Sequence, residues 1–505
     1  MGKKLMMDCG LDSARDFGLE SARDSKLDSA LDSTLDSMAD STLDSTHGVE
    51  SKLDSILNIF YEIAKIPHPS ANTADLQRFI IDFLKQCDCK VKVDGAGNIY
   101  ALKGAPKFAF QAHYDMVLVG EKIEPFIENG FLKSRNSSLG ADNGAAIALL
   151  LHLAKRTKNF EILLTNDEEI GMIGAKNLRF QTQSKMMINL DSECANEICV
   201  GCAGGFDADI SISEFLQDFA NPQIENGDFA NLKSENICDF ANLKSDSALK
   251  IYEFSAHNFK GGHSGIDIHK NIKNAIVELL FALDSASEKF EILEISGGEA
   301  RNSIPINARA IIATSANIPN IAPRDDSTPH IAIKKLTSAP KILQKSTPQK
   351  SLKRAVVAHL LRLHNGIYEM ENGSVLCSLN FSQISQNALK IMVRANRAEL
   401  LERAILRLKY LFGGGIKISG FYDAWEENIA ESSLFNALCA TYKKHKIPFR
   451  PVQIHAGLEC GILKQKCALS EVLSIGPTIL YPHSKGEMMD LKSFERFCAV
   501  VEDLC

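Results

Sequence analysis

The chain has 505 residues, a formal net charge of −7 and a hydrophobic content of 45%. This length corresponds to roughly two to four domains, and the acidic balance argues against a nucleic-acid-binding protein, which needs a basic surface. No stretch reaches the roughly 18 apolar residues of a membrane-spanning helix. The 13 cysteines are odd in number and scattered, which favours reduced thiols in the cytoplasm over a disulfide framework.

The N-terminal region has low complexity. Within residues 11–50 the triplet Leu-Asp-Ser recurs with little apolar content. Residues 1–49 are therefore predicted to form a disordered acidic tail, with a frayed amphipathic helix as the alternative. Two further segments are predicted to be irregular insertions. Residues 214–248 contain Asp-Phe-Ala-Asn three times, and residues 315–352 hold five of the 15 prolines.

The rest of the chain alternates helical and strand patterns. Apolar residues at helical spacing predict helices over Leu53–Ile66 and Ala145–Leu153. Short apolar runs predict strands at Phe108–Ala112, Ile162–Thr165 and Met187–Leu190. Strands that alternate with helices are typical of an α/β domain with a largely parallel sheet.

Polar motifs follow the predicted strands. His113 and Asp115 come after the first strand, and residues two apart in an extended chain face the same way. Asp115 can therefore hold the far ring nitrogen of a metal-binding His113. Asp142 lies between Gly140 and Gly144, on a tight turn before a predicted helix. By itself, the Asp142 motif is also typical of a helix N-cap.

Carboxylates follow the other two strands. Asp167, Glu168 and Glu169 come after the second strand, and Asp191 follows the third. Like charges at the end of a buried strand repel one another unless a cation compensates them. His483 lies much later, on a turn rich in glycine and proline. Because the carboxyl ends of parallel strands form the ligand-binding crevice of α/β proteins, the two histidines and the carboxylates predict a site for two divalent metals.

The motifs also resemble those of a known family. In chain order between residues 50 and 505 they are QAHYDMV, SLGADNGA, TNDEEIGMIGA, NLDSE, GCAGG, FKGGHSGIDIH, ARNSIP, HNGIYEM, IHAGLECG and SIGPTI with PHS. As a set they resemble the co-catalytic zinc metallopeptidases that include aminoacylase and carboxypeptidase G. Within that family they are most similar to the Xaa-His dipeptidases.

The resemblance implies a role for each residue of the predicted metal site. His113 and His483 would each bind one of two metal ions. Asp142 would bridge the two ions, Asp191 would complete the ligands beside His113, and Glu169 those beside His483. The resemblance implies zinc, with Co²⁺ or Mn²⁺ as alternatives.

The resemblance also implies the domain organisation. An α/β catalytic domain with a mostly parallel central sheet would be interrupted by an α+β lid domain. The catalytic domain would comprise residues 50–213 and 427–505, and the lid residues 214–426, including both insertions. The lid would mediate formation of a homodimer.

Four residues are implied to bind the substrate. His263 would stabilise the tetrahedral oxyanion, and Arg301 with Asn302 would grip the substrate carboxylate. Glu459 would bind the free amino group. The alternatives are an ordinary glycine-rich loop around His263 and a surface turn at Arg301 and Asn302.

The implied reaction is hydrolysis of dipeptides, Xaa-His and other short peptides, by a metal-bridged hydroxide. Glu168 would be the general acid/base, and Asp115 would orient His113. The protein would be a cytoplasmic enzyme with no nucleic-acid or membrane partner. The alternatives are a tripeptide aminopeptidase or N-acyl amino-acid hydrolase of the same fold, or a catalytically inactive binding or scaffold protein.

Overall fold

The computed structural model describes residues 51–212, 214, 249–287, 290–323, 328–337 and 352–505. The chain divides into two compact units. The first unit runs to Ile198 and also includes Glu427–Arg450 and Lys466–Cys505, whereas the second comprises Cys199–Glu426 and Pro451–Gln465.

The elements are numbered here in chain order. Those from α1 to β7 belong to the first unit: α1 (Lys52–Ala64), α2 (Ala74–Gln86), β1 (Lys90–Val93), β2 (Ile99–Lys103), β3 (Ala109–His113), β4 (Pro125–Glu128), β5 (Phe131–Ser134), α3 (Ala141–Arg156), β6 (Phe160–Thr165), α4 (Ile173–Lys176) and β7 (Met186–Asn189). The chain passes into the second unit within β8 (Glu197–Cys202).

The next elements belong to the second unit: β9 (Gly204–Ser211), β10 (Lys250–His257), β11 (Gly262–His263), α5 (Ala275–Ala286), β12 (Glu291–Gly297), β13 (Ser303–Ile304), β14 (Ala308–Thr314), β15 (His330–Leu336), β16 (Leu352–Lys353), α6 (Arg354–Leu360), β17 (Gly366–Glu371), β18 (Ser374–Ser385), β19 (Ala388–Ala395), α7 (Ala398–Phe412), β20 (Ile416–Tyr422) and β21 (Trp425–Glu426). The last elements are α8 (Ser433–Lys444), β22 (Arg450–Ile454), α9 (Glu459–Lys466), β23 (Glu471–Ser474), β24 (Ile479–Leu480), β25 (Met488–Asp490) and α10 (Leu491–Leu504).

Six strands of the first unit pair in the order β1-β2-β6-β3-β7-β23. β6, β3, β7 and β23 are parallel neighbours, whereas β1 and β2 continue the sheet by antiparallel pairing. The parallel strands are almost entirely buried, which explains their continuous apolar runs. Their carboxyl ends lie along one edge of the sheet, where His113 of β3 and Thr165 of β6 are register partners.

Helix α3 begins at this edge and is buried along nearly its whole length. Its alanines and leucines allow close packing against α1, whose Phe60 ring would lie 3.3 Å from a Cβ placed on Gly144. α1 begins with a reciprocal capping box between Ser51 and Asp54 and buries Ile56, Phe60 and Ile63. The packing of α1 and α3 holds the start of α3 at the end of the parallel strands.

A smaller antiparallel sheet of order β24-β25-β5-β4 also belongs to the first unit. The turn between β24 and β25 carries His483 and Glu487. The short strand pairing at Ile479–Leu480 and Met488–Asp490 fixes both ends of this turn.

The second unit contains an antiparallel sheet of order β15-β10-β14-β12-β18-β19-β9-β20. Apolar side chains of this sheet form one core with α5, α6 and α7. Antiparallel strands beside separate helices give an α+β architecture. Within this unit, β21 pairs with the second half of β8.

Most elements predicted from the sequence are confirmed. The predicted helices and strands correspond to α1, α3, β3, β6 and β7. The irregular structure predicted for 315–352 is wrong for His330–Leu336, which forms β15 and pairs with β10. Pro329 precedes this strand without interrupting it, and Ala332 and Ile333 are buried.

The predicted tail at 1–49 lies outside the described residues, as does nearly all of 214–248. Across the part of the chain that the structure describes, no helix has the length and apolarity needed to cross a bilayer.

Candidate metal centre

The candidate centre lies at the carboxyl ends of the parallel strands in the first unit. His113 is the last residue of β3 and is 1% exposed. Glu168 and Glu169 lie in the loop that follows β6, and Asp191 comes two residues after β7. Asp142 is the second residue of α3. The fold thus brings four distant chain segments to one place.

Asp142 lies between the two histidines. His113 Nε2 is 3.1 Å from Asp142 Oδ1, and His483 Nε2 is 3.1 Å from Asp142 Oδ2. Each histidine also faces a second carboxylate: His113 Nε2 lies 3.1 Å from Asp191 Oδ1, and His483 Nε2 lies 2.7 Å from Glu169 Oε1. The five side chains form two groups that share one carboxylate, and the structure brings all five predicted metal ligands together.

The orientation of His113 is set by a backbone atom. Its Nδ1 lies 2.9 Å from the carbonyl oxygen of Asp115, whereas the Asp115 carboxylate is 3.5 Å away. The sequence-based expectation that the Asp115 carboxylate would hold this nitrogen is therefore only partly right, because the carbonyl of the same residue comes closer. Since a carbonyl can only accept, Nδ1 carries a proton and donates it, and this contact leaves Nε2 facing Asp142 and Asp191.

The Asp115 carboxylate instead fixes the acidic loop. Oδ1 accepts from the backbone N–H of Glu168 at 2.9 Å, and Oδ2 accepts from the N–H of Glu169 at 3.2 Å. Ser70 Oγ donates to the same Oδ2 at 2.8 Å. Burial acts to raise the pKa of Asp115, but His113 and these hydrogen bonds outweigh it and lower the pKa. Asp115 is thus an ionised anchor for the loop.

The charged groups of the centre shift one another's pKa values. Burial opposes protonation of His483, but Asp142 and Glu169 outweigh it and raise the pKa of His483 to about 11. The pKa of Asp142 is lowered because both histidines overcome the effect of burial. Burial and the neighbouring Asp142 raise the pKa values of Glu169 and Asp191. Positive charge is therefore strongly favoured between these carboxylates.

The donor atoms fit divalent metal ions. One ligand atom each from His113, Asp142 and Glu169 lies within 4.8 Å of the others. Glu169 Oε1 has no hydrogen-bond partner among the described residues although His483 Nε2 is 2.7 Å away. Imidazole nitrogens with carboxylate oxygens are the ligand types that Zn²⁺ takes in catalytic sites.

Sequence reasoning assigned no role to two further carboxylates near Asp142. Burial and the charges of Asp142, Asp191 and Glu169 raise the pKa of Glu193 to about 8. Glu487 is 3% exposed; burial, together with the charge of Asp142, raises its pKa to about 7. The only signal in the sequence for Glu193 was its spacing of two residues from Asp191.

The four predicted substrate-binding residues all belong to the second unit. His263 Nδ1 accepts from the backbone N–H groups of Gly265 and Ile266 at 3.2 and 3.0 Å. A ring nitrogen that accepts two hydrogen bonds carries no proton, so the neutral ring of His263 has its proton on Nε2. His263 is thereby set up as a donor at Nε2.

Arg301 already has carboxylate partners within the second unit. Its Nη2 lies 2.5 Å from Asp209 Oδ1, and its Nη1 lies 3.5 Å from Asp207 Oδ1. Asn302 is exposed, and its carbonyl accepts from the N–H of Ser264 at 2.7 Å. Arg301 Nη1 has no hydrogen-bond partner among the described residues, whereas Nη2 donates to Asp209.

Glu459 and Arg394 are buried in the second unit. Glu459 is the first residue of α9 and is 0% exposed. Arg394 is 5% exposed, and its Nη1 donates to the hydroxyl of Tyr422 at 2.7 Å. Arg394 Nε has no hydrogen-bond partner among the residues described. Sequence reasoning had assigned no role to Arg394.

Comparisons with known proteins give a consistent result. No protein-family model matches the chain. The cytosol non-specific dipeptidase of Escherichia coli (strain K12) is 28% identical over 493 residues, which cover 88% of this chain and 96% of that protein.

Solved structures share the fold. An aminoacylhistidine dipeptidase from Vibrio alginolyticus has a TM-score of 0.63 and 24% identity, over 90% of this chain and 98% of that chain. An aminopeptidase PepT from Bacillus cereus ATCC 10987 has a TM-score of 0.51 and 13% identity, over 90% and 98%. These findings confirm the α/β fold class and the resemblance to the dipeptidases: the chain is a homologue of the cytosol non-specific dipeptidase and an enzyme of the peptidase class.

Proposed function

We propose that the chain is a dipeptidase that uses two divalent metal ions to hydrolyse Xaa-His and other short peptides. The observation that carries this proposal is that His113 and His483 face separate oxygens of Asp142, each with one further carboxylate nearby. Two nitrogen–oxygen ligand groups that share a carboxylate suit Zn²⁺, with Co²⁺ or Mn²⁺ as alternatives. The identity to a cytosol non-specific dipeptidase supports the substrate class.

Two bound metal ions would supply a water of lowered pKa and would polarise the carbonyl of the scissile peptide bond. Glu168 would take a proton from the attacking water and deliver it to the leaving amine. Its backbone is fixed on both sides, because its N–H donates to Asp115 and its carbonyl accepts from Gly171 and Met172 at 2.9 and 2.7 Å. This fixation supports a base that keeps its position through the reaction.

His263 would donate its Nε2 proton to the carbonyl oxygen as that oxygen becomes negative. The tautomer set by the backbone N–H groups of Gly265 and Ile266 supports this role. Glu459 is retained as the proposed partner of the substrate's amino group, supported by its complete burial.

We assign the substrate carboxylate to Arg394 in preference to Arg301 and Asn302. A buried guanidinium is costly unless a negative group compensates it, and Arg394 Nε has no hydrogen-bond partner among the described residues. A dipeptide carboxylate would supply that compensation in a bidentate geometry. Arg301 also has a nitrogen, Nη1, without a hydrogen-bond partner among the described residues, but its charge is already compensated by Asp209 and Asp207.

The second unit is proposed to act as the lid and as the surface for homodimer formation. Leu406 and Tyr410 lie one turn apart on α7, and each is 67% exposed, which supports an apolar contact surface on this helix. A cytoplasmic location is also proposed. It is supported by the free thiols of the described cysteines and by the name of the Escherichia coli relative.

The decisive experiment measures histidine release from alanyl-histidine and β-alanyl-histidine by the purified chain with Zn²⁺, Co²⁺ or Mn²⁺. An alanine tripeptide and an N-acyl amino acid are assayed in parallel, and metal content is measured on the same protein. The expected result is release from the dipeptides, two metal ions per chain, and loss of activity with a chelator.

The other outcomes separate the alternatives. Cleavage of only the tripeptide or only the acylated amino acid would keep the metal chemistry and change the substrate class. Metal binding without any turnover would favour the scaffold alternative. Failure to bind any of the three metals would overturn the proposal.

A further inference from the structure

Glu487 makes an unusual set of hydrogen bonds. It lies in the turn between β24 and β25, and its buried carboxylate accepts from four consecutive backbone N–H groups at the start of α3. Oε2 accepts from Leu139 at 2.8 Å and Gly140 at 3.1 Å, and Oε1 accepts from Ala141 at 2.8 Å and Asp142 at 3.4 Å. Two carboxylate oxygens thus serve four donors, three of which a helix start leaves without intrahelical partners.

The local sequence offers no substitute for this contact. The N-cap position of α3 is Gly140, which has no side chain to accept these hydrogen bonds and has a φ of 70°. A Cβ at this position would lie 3.0 Å from the side chain of Met116. A capping side chain at position 140 would be strained by the positive φ and crowded by Met116, and the cap is supplied by Glu487 from 347 residues away.

The conformation of the capped turn places the Asp142 carboxylate between the two histidines. Asp142 and Asn143 have non-helical φ/ψ values of −87°, 101° and −113°, 24° within the span of α3. In this conformation the two carboxylate oxygens of Asp142 reach His113 and His483. Without Glu487, the N–H groups of this turn would be buried and unpaired, which favours a rearrangement of the turn.

The same side chain links two parts of the centre. Glu487 is four residues from His483 in the chain, and it contacts the backbone of Asp142 itself. We propose that Glu487 is a positioning residue that clamps the turn of Asp142 to the turn of His483 and so sets the affinity and spacing of both metal ions. This inference rests on the proposed two-metal function.

The experiment compares Glu487→Gln with the wild type and with Glu495→Gln, an exposed glutamate of α10 that serves as the matched control. The amide of Glu487→Gln places an NH₂ group against N–H donors and keeps the side-chain volume. We expect metal affinity, titrated calorimetrically with Zn²⁺, to fall about ten-fold or more. The kcat for alanyl-histidine should fall at least as much with KM within about two-fold, and Glu495→Gln should match the wild type.

A second variant distinguishes a positioning role of Glu487 from a simple loss of folding. Glu487→Asp keeps both oxygens and the charge but is shorter, so its metal affinity should lie between those of Glu487→Gln and the wild type. The Co²⁺ absorption spectrum of each variant reports ligand geometry without turnover, and we expect it to change for Glu487→Gln. The melting temperature of each metal-free variant shows whether the fold is intact.

The inference and the proposed function can fail separately. If the wild type binds no metal or hydrolyses no peptide, the proposed function fails. If the wild type binds two ions and turns over, but Glu487→Gln has unchanged affinity, spectrum and kcat, then Glu487 has no positioning role. A variant that loses stability while the affinity of its folded fraction is unchanged would also overturn the inference.

Discussion

The carboxylate of Asp115 accepts a 2.9 Å hydrogen bond from the backbone N–H of Glu168, although 53 residues separate them in the sequence. Through its second oxygen, Asp115 also holds the N–H of Glu169. One buried carboxylate therefore fixes the backbone of both the proposed base and a proposed metal ligand, while the carbonyl of the same residue orients His113.

Asp115→Asn should lower activity without removing the metal ligands. The asparagine NH₂ cannot accept, so either Glu168 or Glu169 loses its backbone anchor, and the amide is left facing a donor. We expect kcat/KM to fall about 10- to 100-fold. Steady-state kinetics on alanyl-histidine check this, with metal content measured on the same samples. Wild-type kinetics in this variant would show that the anchor is dispensable.

Glu168→Gln should separate proton transfer from metal binding. Because Glu168 is not a proposed ligand, the variant should bind two metal ions with wild-type affinity. Turnover should fall about 10²- to 10⁴-fold, since the amide cannot accept a proton. Glu169→Gln, at the adjacent position, is the comparison variant. For it we expect weakened metal binding near His483. A Glu168→Gln enzyme with normal kcat would remove Glu168 from the role of base.

The position of Asp142 between the two histidines predicts that two substitutions affect metal affinity differently. Asp142→Asn weakens the ligand that faces both histidines, so calorimetric titration with Zn²⁺ should show reduced affinity at both sites. Asp191→Asn should affect only the site beside His113, because Asp191 approaches that ring alone. Equal effects of the two substitutions on both sites would contradict the shared arrangement.

Arg394→Lys should impair binding of the peptide carboxylate. A lysine has one compact charge and cannot form the bidentate contact of a guanidinium. We expect KM for alanyl-histidine to rise about 10-fold or more, with a smaller change for alanyl-histidine amide, which lacks the carboxylate. Arg301→Lys is the control and should change KM less. If KM rises equally for both peptides, Arg394 does not bind the substrate carboxylate.

Because His455 is buried, we predict that the folded protein loses stability in acid. It lies 2.8 Å from Ser378 Oγ and 3.0 Å from Asn396 Oδ1 within the second unit. Burial, and then the charge of Arg394, lower its pKa to about 3. The unfolded state binds a proton near pH 6.5 and the folded state does not, so stability falls as the pH drops from about 6.5 towards 3.

The slope of this pH dependence can be measured. Between pH 6.5 and 5, His455 should account for about 2 kcal/mol of lost unfolding free energy. Denaturant unfolding of the metal-free protein should therefore show a shallower loss for His455→Gln than for the wild type. His364→Gln, at an exposed position, serves as the control. Parallel slopes for all three proteins would contradict the prediction.

Much of the fold and of the centre could be predicted from the sequence because buried parallel strands leave continuous apolar runs. The polar residues that end those runs, such as His113 and Asp191, must then lie at one sheet edge, and the structure brings them together. The predicted helix at Ala145–Leu153 is confirmed for the same reason, since its apolar spacing reflects burial.

Long-range pairings could not be predicted from local patterns. The contact of Glu487 with the turn of Asp142 joins residues 345 apart, and neither segment carries a local sign of the other. The pairing of Arg301 with Asp209, 92 residues away, likewise has no sign near Arg301 in the sequence. The strand β15 was missed because the surrounding prolines outweighed its short apolar pattern.

The chain order of the proposed ligands has a consequence during synthesis. His483 is 341 residues later in the chain than Asp142, so a ribosome adding about 5–20 residues per second needs roughly 20–70 s to make the intervening segment. A growing chain that already exposes His113, Asp142 and Asp191 lacks the second histidine throughout that time. The proposed two-metal site would then be completed only when translation is nearly finished.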